Sequence, residues 1–311
     1  MPRLDPLAAL HDDDLQLALW CCYELHYRGF DGVDPDLEWD PEVLRTRRQL
    51  EVALLGALHA LVPLDDTGRE PCAALIDLTR SPADGTGGPS LSTVVRDHAT
   101  LDQVRELFVH RSIYQLKEAD PHTWAIPRVS GRAKSALVEI QMDEYGGGQP
   151  GATHAELFAA TLDEVGLDPT YGAHLDAVPG ITLATDNLLS LLGLHRSLLP
   201  AVIGHLALFE LTSVGPMGRY AAALDRLGVG ERGRRFFDVH VTADAVHQVV
   251  AVQDLVGPFL DEHPDAGPRL VWGAAALTRV EAAFSSYVLG CWDDGRSSLR
   301  ASPAPALALG A

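Results

Sequence analysis

Residues Phe236–Val252 read FFDVHVTADAVHQVVAV. Wound as an α-helix at about 100° per residue, positions i, i+4 and i+7 fall within about 60° of one another. Those positions hold His240, Asp244 and His247, and Ala243, Val250 and Ala251 share their stripe. Two imidazoles and a carboxylate therefore point together from an otherwise apolar face. Burying three such groups unsatisfied is costly. A bound cation removes that cost, and so does a hydrogen-bonded His–Asp–His cluster; this helix alone does not choose between them. Either way, the stretch predicts an inward-packed helix and a bundle with a polar centre.

Working outward, other acids and a histidine meet the same test. In LLPAVIGHLALFELTS, Leu198 to Ser213, Glu210 is the only formally charged residue. Charged residues are almost never fully buried unless they are paired or coordinate a metal; a salt bridge to Arg219 or Arg279 is the ordinary alternative. Pro216 cannot donate to residue 212, so the helix is expected to loosen near Glu210. Asp143 to Phe158 read DEYGGGQPGATHAELF. One glycine suffices to cap a helix, so three imply backbone that passes close to something or must move. Glu144 shares a helical face with Leu137 and Ile140, whereas Glu139 and Asp143 point away. Thr153 and Glu156 match a capping box, which makes His154 the first residue of the next helix, a position where an exposed histidine is the ordinary reading. Glu118 lies in phase with Val104, Leu107 and Phe108, with Arg111 on the same side as its alternative ion-pair partner.

The rest of the chain reads as helix. Predicted helices cover Leu15 to Tyr27, Pro41 to Leu61, Thr100 to Asp120 behind a Thr100–Gln103 capping box, and Arg132 to Tyr145. Further helices cover Thr153 to Val165, Asn187 to Leu227 with kinks at Pro200 and Gly215–Pro216, Arg235 to Leu260, and Ala274 to Cys291. TRSPADGTGGPSLS, Thr79 to Ser92, reads as loop. No useful strand alternation and no internal repeat occurs. The fold class is all-α: an N-terminal helical extension over residues 1–95, a core over 96–295 and a disordered tail over 296–311.

The 311 residues carry a formal net charge of −19, which argues against nucleic acid or an anionic membrane as partner. Cys21, Cys22, Cys72 and Cys291 form neither a CxxC pair nor a disulfide framework, so a reducing cytoplasm is expected. The N-terminus lacks a signal-peptide pattern. No membrane span is expected, because the longest apolar runs are interrupted by Pro200, His205 and Glu210. Trp20, Tyr23, Tyr27 and Phe30 fit core or dimer packing, and a homodimer is an allowed assembly.

The candidate donors are thus Glu118, Glu144, Glu210 and Asp244 with His154, His240 and His247. Mixed imidazole and carboxylate ligands suit Fe(II) or Mn(II) better than thiolate-preferring ions. Four carboxylate charges balance two divalent cations, and Zn²⁺ or Mn²⁺ would satisfy that balance as well as iron.

At this point the chain resembles the haem-oxygenase-like diiron oxidases and oxygenases, the iron-containing redox enzymes. The resemblance rests on Glu118, E-Y-G-G-G-x5-H (Glu144 and His154), Glu210 and H-x3-D-x2-H (His240, Asp244 and His247), and spans about Leu101 to Trp292. Ferritin-type ExxH pairs are absent. The resemblance implies a seven-helix bundle like haem oxygenase, with all seven side chains holding two Fe(II) ions. It further implies reaction with O2 and oxidation of a small molecule by N-oxygenation, desaturation, or carbon–carbon cleavage and decarboxylation. Family members often hold their metals loosely on a mobile helix, and the glycines would let the helix of His154 order as metal or substrate arrives. An amino-acid-like or other small carboxylate substrate from a biosynthetic pathway is expected; Arg111, Arg219 or Arg279 could pair with its carboxylate, although the ordinary reading of each is a structural or surface arginine. The alternatives are a metal-independent haem-oxygenase-like enzyme, in the manner of quinone-cofactor synthases or thiaminases, and an iron-binding protein without turnover.

Overall fold

The computed structural model describes residues 5–65, 67–80 and 89–300. Among them every regular element is a helix. In chain order these are α1 (Pro6–His11), α2 (Asp13–Glu24), α3 (Pro41–Leu61), α4 (Pro71–Arg80), α5 (Leu91–Asp97), α6 (Leu101–Gln115) and α7 (Asp120–Thr123). There follow α8 (Gly131–Glu144), α9 (His154–Glu164), α10 (Gly180–Leu194), α11 (Leu199–Arg226), α12 (Glu231–Val249), α13 (Gly257–Glu262) and α14 (Gly267–Asp293). A π-helical segment, Val250–Val256, joins α12 to α13. Most of the predicted loop at 79–92 lies outside the described residues, as do residues 301–311.

Local chemistry sets the helix starts. Thr100 with Gln103 and Thr153 with Glu156 each form the complete reciprocal box, ahead of α6 and α9. Asp40 caps α3 by accepting from the amides of Glu42 and Val43. One continuous apolar core runs from Leu10, Leu19 and Leu58 near the N-terminus to Leu224, Phe236 and Phe284. Trp20 and Tyr23 are buried within the chain. Helix α2 is tied to α10 by the Asn187 amide, which donates to the Gln16 carbonyl and side-chain oxygens at 2.8 Å.

Several expectations are corrected. The helix expected from Asn187 to Leu227 is two helices. His195 turns extended between them, Pro200 falls in the first turn of α11, where its missing N–H costs nothing, and the Arg128 guanidinium bonds the terminal carbonyls of α10 at Gly193 and Leu194. Glu118 lies beyond the end of α6, because the chain turns at Leu116–Ala119 before Pro121. No loosening occurs at Glu210. Helix α11 runs unbroken through Pro216, and Thr212, the residue whose carbonyl loses its amide partner, is exposed. The irregular turn is the π segment, three residues after His247. The region Arg196–Arg226 is long and apolar enough to cross a membrane, contrary to the reading of its interruptions, but 67% of its apolar window is buried in the bundle. Within the first part of the expected tail, Ser298 is fully buried and bonds His110 and Glu106, and the Arg300 amide donates to the Ala177 carbonyl.

Candidate metal centre

Five elements deliver the seven predicted side chains to one place. Glu118 comes from the turn after α6, Glu144 from the last turn of α8, His154 from the first residue of α9 and Glu210 from mid-α11. Helix α12 supplies His240, Asp244 and His247. All are buried, at 1–8% exposure. Glu118, Glu144, His154 and His240 each present a donor atom, all within 4.8 Å of one another. Glu144, Asp244 and His247 form a second such group. Glu144 belongs to both. Glu210 joins the second from the far side, with Oε2 3.3 Å from Nδ1 of His247.

The glycines account for the approach of His154 to Glu144. Gly146, Gly147, Gly148 and Gly151 all have positive φ, between 61° and 80°. A Cβ on Gly146 would meet the Ala152 carbonyl at 2.4 Å and the Thr153 amide at 2.7 Å. The loop closes on itself so tightly that His154 Nδ1 lies 2.7 Å from Glu144 Oε2.

Supporting bonds orient the rings. His240 Nδ1 donates to the Phe236 carbonyl at 2.7 Å, which leaves Nε2 facing Glu118 at 3.6 Å. His247 Nε2 bonds Asp143 Oδ2 at 3.0 Å, leaving Nδ1 for Glu210 and, at 3.5 Å, Asp244. Asp143, expected to point away from the cluster, thus acts on it through His247. Nothing in the spacing could have revealed this, because the bond crosses from α8 to α12.

Burial and mutual charge strongly perturb the titration of the cluster. Burial, then repulsion from neighbouring carboxylates, pushes Glu144 and Glu210 up to about 7 despite nearby histidines. Burial opposes charge on His240, but Glu118, with Glu144 and Asp244 behind it, lifts it to about 10. His247 rises to about 11 against its own burial, through Asp244, Glu210 and Asp143. Burial and the charge of His240 hold His154 down at about 4. Even so, Glu118 Oε2 and both Asp244 oxygens are buried without a hydrogen bond, and His154 Nδ1, His240 Nε2 and His247 Nδ1 meet carboxylate oxygens at 2.7–3.6 Å without hydrogen-bond geometry. Native interiors rarely orphan so many polar atoms in one spot. Converging unbonded oxygen and nitrogen donors, without thiolate, fit Fe(II) or Mn(II).

Two spaces adjoin the cluster. An inner cavity of about 10 Å³, walled by Tyr114, His122, Gln141, Leu206 and Phe209, touches Glu144, Glu210, His240 and Asp244. It holds roughly one water-sized molecule. His122 bonds His205 at 3.3 Å, and burial holds both well below the usual histidine range. An outer groove of about 520 Å³ runs past Gly146, Gly147 and His154, flanked by Asp143, Glu231, Arg235 and Asp238. Arg111 and Arg219, for which a structural role is the ordinary reading and a substrate carboxylate the alternative, are engaged within the fold. Arg111 forms a two-bond pair with Glu281 at 2.8–2.9 Å, and Arg219 donates to Ser92 at 2.9 Å. Neither pairs with Glu118 or Glu210.

A family model described as iron-containing redox enzyme matches residues 105–282, and this chain belongs to that family of oxidoreductases, with its haem-oxygenase-like all-α fold. The chain is also similar to a nitrosourea synthase from Streptomyces achromogenes subsp. streptozoticus, 28% identical over 191 residues. That match takes in 60% of this chain and 40% of the relative, so the chain spans about two fifths of the length of that protein.

Proposed function

We propose that this protein is an O2-dependent non-haem diiron oxygenase that oxidises a nitrogen atom of a small, amino-acid-like molecule in a biosynthetic pathway. The observation that carries the reading is the pair of buried donor groups sharing Glu144. Glu118, His154 and His240 would hold one ion, Asp244, His247 and Glu210 the other, and Glu144 would serve both. Their four carboxylate charges offset two divalent cations. Bound ferrous ions would supply the electrons with which O2 is reduced.

The chain's own groups would do the rest. The Phe236 carbonyl and Asp143 accept from the outer ring nitrogens of His240 and His247, fixing each ring so that its other nitrogen faces the cluster and would coordinate once metal displaces its proton. Leu206 and Phe209 exclude bulk water from the inner cavity, which is sized for a diatomic guest rather than a substrate. The outer groove has the volume of a small-molecule site. Its single arginine, Arg235, suits a carboxylate, and Asp143, Glu231 and Asp238 suit an amine or guanidinium. Nitrogen as the oxidised atom is supported by the relative's name, since a nitrosourea carries an oxidised nitrogen; desaturation and carbon–carbon cleavage are the outcomes it must be tested against.

Anaerobic Fe(II) loading followed by mixing with O2 and candidate substrates tests this. About two irons per chain are expected, with a transient visible absorption whose decay is hastened by an amine- or guanidine-bearing amino acid. Loading that stops at one ion or fewer, with no substrate changing the reaction with O2, would sink it. Product mass separates oxygen added to nitrogen from loss of two hydrogens or of carbon dioxide.

A further inference from the structure

Glu118 is the one candidate ligand not carried by a helix. It sits in the turn Leu116–Ala119, and Ala119 has φ +76°, the only positive φ outside glycine among the described residues. A short irregular turn that aims a buried carboxylate needs bracing from outside itself. Three braces are present. The Arg28 guanidinium donates to the Leu116 carbonyl at 3.0 Å. Lys117 Nζ lies 2.8 Å from Asp186 Oδ2 and 3.8 Å from Glu24 Oε2. The Gln141 amide donates to the Ala119 carbonyl at 2.9 Å.

Lys117 is the central brace. It is 1% exposed, and its ammonium lies 4.4 Å from the Tyr27 ring centroid and 5.5 Å from that of Trp20. Glu24 is itself held by the Tyr171 hydroxyl at 2.6 Å and by the Arg28 amide at 3.3 Å. Consecutive side chains thus leave the turn in opposite directions: Lys117 toward α2 and α10, Glu118 toward His240. A buried ion pair is weak evidence for stability, because apolar replacement is often neutral, and specifying one geometry is its better-attested use. We propose that Lys117, clamped by Asp186 and Glu24, is a positioning residue that sets where Glu118 presents its carboxylate. The N-terminal helices thereby complete the His154–His240 half of the centre. This rests on the dimetal reading above.

The full chain with Lys117→Met, Lys117→Arg or Glu24→Gln, titrated anaerobically with Mn(II), tests the clamp. Ion stoichiometry and affinity come from equilibrium dialysis, spin coupling from electron paramagnetic resonance, and folding from circular dichroism. Wild type is expected to take two coupled ions. Folded Lys117→Met is expected to keep one ion at wild-type affinity, bind the other at least tenfold more weakly and lose the coupled signal, while Lys117→Arg restores most of it. Where Lys117→Met fails to fold, Glu24→Gln decides, with a smaller weakening of one ion alone. Two coupled ions at wild-type affinity in the folded variants overturn the clamp, as does equal weakening of both. A wild type that takes a single ion defeats the dimetal reading instead, and the clamp then stands or falls on whether Lys117→Met weakens that ion.

Discussion

Asp143 and Glu144 are neighbours on one helix with opposite surroundings, yet both act on the same cluster. Glu144 turns inward to lie between the two donor groups, and Asp143 reaches across the rim to His247 Nε2. Their combined field makes the empty cage pH-sensitive. Glu144 and Glu210, raised to about 7 by burial, lose stability as pH climbs from the ordinary carboxylate range to 7. His240 and His247, raised to about 10 and 11 chiefly by their carboxylate partners against burial, contribute stability that is fully present below about 6.5 and lost as pH rises toward those values. Both effects run the same way. Above about pH 7.5, past the range where the depressed His154, His122 and His205 add an opposing gain, the metal-free protein is therefore expected to melt at progressively lower temperature up to about pH 9. Protein loaded with Mn(II) should not follow, because metal replaces the protons that the cage otherwise retains. Differential scanning calorimetry with and without metal checks this; parallel curves would refute it.

The Glu144–His154 loop is where an element serves the site most directly. Gly146 and Gly147 have nearly the same φ, but only at Gly146 would a Cβ collide with backbone. Gly147→Ala is expected to cost about 1–2 kcal/mol for the left-handed conformation alone. Gly146→Ala must also push Ala152 and Thr153 away, so His154 moves with them. Thermal melts and Mn(II) affinity should separate the two: a mild loss of stability with near-normal binding for Gly147→Ala, and a loss of at least tenfold in affinity for Gly146→Ala. Equal behaviour would mean that backbone conformation, not close approach, explains the glycines. The π segment after His247 is the other irregular element, and it lies where the ligand-bearing helix α12 passes into α13.

Across the whole bundle, α11 and α14 cross at backbone contact. A Cβ on Gly204 would lie 1.9 Å from the Leu270 carbonyl oxygen, and one on Gly273 would lie 2.0 Å from that of Ala201. This crossing seats α11, and with it Glu210, against the rest of the core. Gly204→Ala is expected to destabilise by about 1–3 kcal/mol or more through overpacking. Gly290→Ala, in the same α14 but with open space around it, should be neutral or stabilising by up to about 1 kcal/mol. Urea denaturation of both variants checks the contrast, and a tolerated Gly204→Ala would show that the helices can separate without loss.

Helical class, the two capping boxes and the inward stripe of His240, Asp244 and His247 were legible in the sequence, because they depend on local periodicity and on the cost of burying charge, whereas periodicity alone leaves Glu118 to an ion pair and His154 to the surface. His240, Asp244 and His247 share a stripe whatever surrounds them, and Glu210 is conspicuous in any apolar helix. Helix ends were less legible where a distant group intervenes: Arg128 closes α10, and the braces around Leu116–Ala119 carry Glu118 off the end of α6. The sharing of Glu144, the support of His247 by Asp143 and the burial of Lys117 between Asp186 and Glu24 required the folded chain. Each joins residues far apart in sequence, and no local period records which helices will meet.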